Sequence, residues 1–359
     1  MNPSEPAQRF RAIADGSFRE VPLYRRLALT IASRRSLLDF AAQLPDQALA
    51  GGLVFSAIHY LALGEIDREF SASWSREERA PGSVTDFEEL FERFASEQAA
   101  SISDLVGRHP GAQLNEVNRC AYLLPAMATV ARHRRRPLAL LEVGTAAGLL
   151  LNFDRYSYRY GNSTFGPPSA VSIECEMRSP MPHPEMPEVP WRLGIDRHPI
   201  GLDDHDAALW LLASIYPGDT TRAERMSGAI GLAREHPPPV LPGLAPDVHL
   251  FGAQAPQGLA LTIITTAVLM YLDPPSRLDF MRAISDLGRT RTTDWLMCEP
   301  PGVLASLGPD FGDLVAAYVE RSDFVGPLVH LASDREHPEL LAITGPHARW
   351  IDWVANDRP

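Results

Sequence analysis

Over the first third of the chain, residues 8–136, apolar residues recur at three- and four-residue spacing, as in Leu23, Leu27 and Ile31 or Phe87, Leu90, Phe91 and Phe94. That period predicts a helical region. Its loops fall at residues 44–52 and 79–85, where proline and glycine interrupt the pattern, and Asp86 is placed to cap the next helix. The last helix of the region is predicted over about residues 115–135, kinked at Pro125, and runs into Arg132, His133, Arg134, Arg135 and Arg136. Cations suit a helix C-terminus, so this run reads as a solvated helix end, with a phosphate or nucleic-acid patch as the alternative.

The pattern then changes. Residues 138–143 form a short continuous apolar run that ends in a glycine-containing turn and a new apolar stretch, the signature of a buried parallel strand leading into a helix. Two alternating runs follow, Tyr156, Tyr158 and Tyr160, then Val171, Ile173 and Cys175, separated by a segment rich in Gly, Pro and Ser. They predict an antiparallel hairpin inserted into the α/β order. Beyond a proline-rich loop, the expected elements are a strand at 191–195, helices around 207–216 and 222–235, and a strand at 259–265. An amphipathic helix at 277–287, a strand at 295–298 and a closing pair at 328–333 and 340–344 complete the pattern. The break after residue 136 predicts two regions, a helical one over 1–136 and an α/β domain over 137–359.

Composition narrows the function classes. The formal net charge of -12 disfavours nucleic acid and anionic membranes as partners and favours a small-molecule substrate. No stretch approaches the roughly 18 uninterrupted apolar residues of a membrane span, and the first ten residues do not read as a signal peptide, so a cytoplasmic location is expected. Cys120, Cys175 and Cys298 are far apart and odd in number, which argues against a disulfide framework or a cysteine-based zinc site. Every one of the 33 basic Lys and Arg positions is arginine. A Walker-type phosphate loop and lysine Schiff-base chemistry are thereby excluded.

The segment Leu140-Leu141-Glu142-Val143-Gly144-Thr145-Ala146-Ala147-Gly148-Leu149 carries the strongest chemical signal. A strand that ends in a tight glycine turn brings backbone N–H groups close to a cofactor, and an acidic side chain at the strand end can bond a hydroxyl or ammonium group. Glu142 stands inside an otherwise apolar run, where an unpartnered carboxylate is costly. The alternative is a plain strand-to-helix turn with Glu142 at a solvated end. Asp196, closing Gly194-Ile195-Asp196, is the candidate for gripping ribose hydroxyls after the next strand, or else a turn former before His198-Pro199. The fuller G-x-G-x-x-G pattern of a dinucleotide site is missing, which argues against a dehydrogenase.

Glu142-x-Gly144-x-x-x-Gly148 resembles the first motif of class I S-adenosylmethionine-dependent methyltransferases, with Ala146 standing where the middle glycine is usual. A longer set of residues resembles the domain-of-unknown-function family 2332 of bacteria. It comprises Phe10-Arg11-x-x-Ala14-Asp15-Gly16-Ser17, Asn115-Glu116-Val117-x-Arg119-Cys120, the Glu142 turn, Gly194-Ile195-Asp196, Ala267-Val268-Leu269-x-Tyr271, and Pro346-His347 before Trp350. The resemblance implies an α/β chain with a Rossmann-like methyltransferase fold, a β-hairpin inserted near residues 156–176 and a helical N-terminal region covering the cofactor cleft. S-adenosylmethionine would lie against Glu142, Gly144, Ala146, Gly148, Asp196 and Thr265. The acid expected beside the adenine is missing near Gly243, where only Asp247 offers a substitute. Thr265-Thr266 stands where His-Ser is expected, and Ala348 where a glycine is expected after Pro-His.

The remaining candidates concern the substrate. Gln113, Asn115, Glu116 and Arg119 concentrate polar groups before an apolar helix, and the methyltransferase resemblance implies a substrate-facing loop at Thr266 and Tyr271, which otherwise read as the end of a strand and a helix cap. Asn115 and Glu116 also read as a helix cap and a dipole partner. Glu299 and His347 are candidates for a general base. Asp203-Asp204-His205-Asp206 reads as a helix cap rather than a metal site. The expected function is methyl transfer to a small molecule. The rivals are a biosynthetic cyclase or lyase on the same fold and a non-catalytic binding protein.

Overall fold

The computed structural model describes residues 4–45, 48, 52–109, 115–182, 185–319 and 325–355. It divides into two compact units, residues 1–114 with 203–227, and residues 115–202 with 228–359. These units do not coincide with the compositional break at residue 136. The helix Cys120–Arg134 belongs to the second unit, and the helix His205–Ala213 to the first.

The first unit is helical, as the three- and four-residue period requires. Ser4–Asp15, Pro22–Ser33, Arg35–Ala41, Leu53–Leu63, Arg68–Arg79, Phe87–Glu97, Ala99–Arg108 and His205–Ala213 surround a core rich in aromatic side chains. Phe18, Tyr24 and Phe55 meet at ring separations of 5.0–5.2 Å, and Phe70 stacks on Phe94 at 3.7 Å. Arg26 holds the fully buried Glu77 at 2.6 Å, whose carboxylate also accepts the N–H groups of Gly82 and Val84. The loop predicted at 79–85 is thus tied down by a charge-assisted network. Asp86 sits at the N-cap of the next helix but makes no capping bond. In the acidic run before His205, Asp204 accepts from the N–H groups of Asp206 and Ala207, so its role is the expected cap.

The second unit is built on an eleven-stranded sheet: β1 (Leu138–Val143), β2 (Ser157–Tyr160), β3 (Ser163–Phe165), β4 (Ser172–Met177), β5 (Trp191–Asp196), β6 (Val240–Pro242), β7 (Ala260–Thr266), β8 (Thr293–Cys298), β9 (Gly326–Ala332), β10 (Glu339–Thr344) and β11 (Trp350–Trp353). The spatial order is β3-β2-β4-β11-β10-β9-β8-β7-β1-β5-β6. The five strands β6-β5-β1-β7-β8 are parallel, and β9, β10 and β11 continue as an antiparallel meander. Every residue of β1, β7 and β8 is buried, which is why their sequences are mainly apolar and do not alternate. Leu141 and Val143 share a core with Phe280, Ile284 and Leu287 of the helix Pro274–Thr290. Alternation along the strand therefore turns Glu142 to the other face. Strand order reverses about β1, and in such sheets ligands lie beyond the carboxyl ends of the strands at the reversal.

One expectation is corrected. The runs at 156–160 and 171–175 are not paired antiparallel: β2 and β4 run parallel, with Tyr158 opposite Ile173. The antiparallel partner of β2 is β3, joined through the two-residue turn Gly161-Asn162, where Gly161 has φ of 58°. Segment 166–171 then carries the chain back to the start of β4, which also pairs with β11. The glycine turn after β1 leads into a helix as expected, a 3-10 helix over Leu149–Arg155 with non-helical dihedrals at Asn152. Tyr156, Tyr158 and Tyr160 are buried, and their hydroxyls donate to the carbonyls of Leu149, Phe153 and Ala121.

Candidate functional site

The carboxyl ends of four adjacent parallel strands bring the candidate residues into one row. Val143 of β1 is in register with Ile195 of β5 and Thr265 of β7, and Thr265 with Met297 of β8. Asp196, Glu142, Thr266 and Glu299 each stand within a residue or two of that line.

At β1 the chain turns sharply: φ is positive at Gly144 (74°), Ala146 (51°) and Gly148 (73°). A Cβ on Gly144 would meet Val268 at 2.5 Å, and one on Gly148 would meet Val240 and Pro238 below 3 Å. Those glycines are required both by conformation and by close packing against Val268, Val240 and Pro238. Ala146 adopts the same left-handed conformation with a methyl group, at a cost of about 1–2 kcal/mol. The turn is pinned from two sides. Gly144 N donates to Ile195 O at 2.8 Å, and Ala146 N donates to Asp196 Oδ2, also at 2.8 Å. Asp196 Oδ1 accepts from His198 N, so this carboxylate both orders the turn and closes its own loop.

Glu142 is 2% exposed and accepts a 2.6 Å hydrogen bond from the Thr145 hydroxyl. Burial pushes its carboxyl up to about 8, against the pull of that bond and of the Arg119 charge. Glu299, just past β8, is 1% exposed. Its Oε1 accepts from Val268 N at 2.8 Å, while Oε2 is buried with no hydrogen-bond partner. Burial pushes Glu299 up to about 7, against backbone hydrogen bonds and again against Arg119. Arg119, whose charge acts on both, is fixed by Thr266: its Nη1 donates to Thr266 O at 2.8 Å and to Thr266 Oγ1 at 3.2 Å. One fixed cation thus serves two buried carboxyls that titrate near neutrality, a combination found where protons are moved or charged ligands are held.

A second group borders this row. Asn115 Oδ1 accepts from Leu149 N, which caps the segment after the glycine turn rather than the helix Cys120–Arg134. Glu116 Oε1 accepts from Asn118 N, and its Oε2 lies 3.3 Å from His347 Nδ1. His347 and Ala348 both have left-handed backbones, with φ of 55° and 54°. Two such residues in succession are strained, and Asn118 holds them: its Nδ2 donates to His347 O, Ala348 O and Glu174 O, and its Oδ1 accepts from Glu174 N. Asn118 was passed over in the sequence because its partners lie 56, 229 and 230 residues away. The glycine expected after Pro-His would suit the left-handed position that Ala348 occupies.

Other candidates are engaged in structural contacts or lie apart from the row. The Thr265 hydroxyl accepts from the indole N–H of Trp295 at 3.0 Å and is fully buried, so it braces two strands and is not free to grip a ligand. Tyr271 is 70% exposed and joins no described cluster. Asp247 accepts from Leu244 N and closes its own short turn. Gln113 lies outside the described residues. A buried network at the other end of the sheet was not foreseen. Asp294 accepts from His330 Nε2 at 2.8 Å and from Arg134 through two bonds of 2.8 and 2.9 Å.

None of the curated proteins matches this sequence. A family model matches residues 7–353, nearly the whole chain, and the protein belongs to that family, described as an uncharacterized protein conserved in bacteria (DUF2332).

Proposed function

We propose that the row of strand ends binds S-adenosylmethionine and that the protein transfers its methyl group to a small molecule. The observation that carries this reading is the convergence of Glu142 and Asp196, at the ends of adjacent central strands, on the single turn 144–146. The donor set fits the group. A buried carboxyl suits an ammonium, and a second carboxylate, one strand over, keeps a lone pair on each oxygen for a pair of ribose hydroxyls. The cofactor, when bound, supplies an activated methyl group.

The chain's own contribution is alignment and proton handling. Glu142 would take the cationic end of the ligand, and its high pKa means that a proton leaves as the ammonium arrives. Glu299 titrates near neutrality beside Arg119 and has one oxygen without a partner, so it is suited to accept a proton from a hydroxyl or amine acceptor. His347, oriented by Glu116, is the alternative base. Arg119 and Asn115 border the same row and fit a role in holding the acceptor.

Two observations favour a second reading, an enzyme on this fold that shapes a substrate without methyl transfer. The Ala146 methyl sits on the turn where close backbone approach is needed, and both oxygens of Asp196 already accept backbone N–H groups. Calorimetric titration with S-adenosylmethionine and S-adenosylhomocysteine separates the readings. Micromolar binding, weakened about tenfold or more by Asp196→Ala, is expected for the first. A wild-type protein with no saturable binding contradicts it.

A further inference from the structure

The basic residues at the end of the helix Cys120–Arg134 meet a second group of basic and polar residues from distant parts of the second unit. His133, Arg134 and Arg136 line a cavity of about 360 Å³ together with Gln257, Thr290 and Arg291. The volume is within the range of about 300–1,000 Å³ typical of small-molecule sites. Among its described lining residues there is no Asp or Glu. In a chain of net charge -12, where most buried or half-buried arginines hold a carboxylate, this is unusual.

The charges in this recess are not all equivalent. Arg134 is neutralised, since it bonds Asp294 and also Asp334 at 2.6 and 2.8 Å. Arg291 is different. Its Nη1 donates to Ala255 O at 2.6 Å and its Nη2 to Pro256 O and Leu259 O at 3.0 Å, so three carbonyls fix the guanidinium. Its Nε is buried without an acceptor. Burial lowers the Arg291 pKa, and no acidic neighbour offsets the effect. Arg136 is exposed and makes no ion pair or side-chain hydrogen bond among the described residues. A rigid, half-buried guanidinium without a counter-ion, with a second free guanidinium at the mouth, is an arrangement completed by an anion.

We propose that this recess is a second ligand site, for a small molecule bearing a phosphate group. It lies where β7 and β8 begin, whereas the row of carboxyl groups lies where they end. A seven-residue strand separates the two by roughly 20 Å. The second site is therefore independent of the cofactor reading and stands or falls separately from it. A single recess in an acidic protein suits a small phosphate ester rather than a nucleic acid, which needs an extended basic face.

The test is calorimetric titration at low salt with ribose 5-phosphate, inorganic phosphate, ribose and a short RNA, on the wild type and on Arg136→Gln and Arg291→Gln. Arg136→Gln is the decisive variant, because its side chain has no structural partner and the melting temperature is expected to stay unchanged. The expected result is saturable binding of ribose 5-phosphate, weaker binding of phosphate, none of ribose, and a loss of about tenfold in affinity with Arg136→Gln. No saturation by any phosphate probe, equal affinities for wild type and Arg136→Gln, or tighter binding of RNA than of ribose 5-phosphate would overturn the proposal. Displacement of ribose 5-phosphate by S-adenosylmethionine would likewise overturn it, by placing both ligands in one cleft.

Discussion

Replacing Glu142 with glutamine is expected to stabilise the protein, and increasingly so as the pH rises. The side chain is 2% exposed, receives one hydrogen bond from Thr145 and is held by burial at a pKa of about 8, against an ordinary value of 4.5. Below pH 4.5 the carboxyl is protonated in both the folded and the unfolded chain. Between 4.5 and about 8 the folded chain keeps a proton that the unfolded chain has released, so this group makes stability fall with rising pH. Above about 8 the fall is complete. At about 1.4 kcal/mol per pH unit, the full window bounds the cost at about 5 kcal/mol, and relaxation of the site lowers the measured figure. Glutamine keeps the shape and the acceptor for Thr145 but never ionises. Urea unfolding at pH 5, 7 and 9 reads the effect directly. Near-equal stability of wild type and Glu142→Gln is expected at pH 5, with the variant ahead by about 2 kcal/mol or more at pH 9. A difference that does not vary with pH, or a variant less stable at pH 9, would refute the reasoning.

Three further outcomes follow from the same geometry. Asp294→Ala leaves His330 and one side of Arg134 unpaired in a buried setting and should lower unfolding free energy by about 3 kcal/mol, read by urea titration; a loss below about 1 kcal/mol would contradict the network's importance. Asn118→Ala removes the side chain that holds the strained His347-Ala348 turn to β4, and a loss of about 3 kcal/mol is expected in the same assay, whereas an unchanged protein would show the turn to be self-supporting. For Ala146→Gly, relief of left-handed strain (about 1–2 kcal/mol) is offset by a lost buried methyl and a freer unfolded backbone, so the melting temperature should barely move. Affinity for S-adenosylmethionine should rise, and unchanged or weaker binding would favour the second reading of the cleft.

The parts of the fold that the sequence disclosed are those in which one local signal suffices. Short, mainly apolar runs without alternation marked β1, β7 and β8, because strands buried on both faces have no solvent-facing positions to fill. The amphipathic period marked the helix Pro274–Thr290, with Phe280, Ala283, Ile284 and Leu287 facing the core. Glu142 stood out because a carboxylate inside such a run has to be answered by a partner, and Thr145 and Arg119 answer it.

What escaped notice depends on distant partners. The parallel pairing of β2 and β4 hinges on β3, a three-residue strand too short and polar to leave an alternating pattern. β11 is four residues long and pairs with strands from both ends of the unit. Asn118, Trp295 and His330 are unremarkable in sequence, and each acquires its role only from contacts made across 30 or more residues. Thr265 was expected to face a ligand, since a hydroxyl at a strand end often does, but the indole of Trp295 claims it. The two positions where the resembled pattern has glycine and this chain has alanine, Ala146 and Ala348, both fall at positive φ, where the absent glycine would have carried no strain.

The central claim is that the buried carboxyl of Glu142 receives the cationic end of a ligand. The affinity of wild type and Glu142→Gln for S-adenosylmethionine, measured by calorimetry from pH 6 to pH 8.5, tests it most directly. Because Glu142 must lose its proton to pair with the ammonium, wild-type affinity should climb by up to about tenfold per pH unit and level off near pH 8. Glu142→Gln should bind more weakly and with little dependence on pH. Absence of saturable binding, or indistinguishable and pH-independent affinities for the two proteins, would contradict the account.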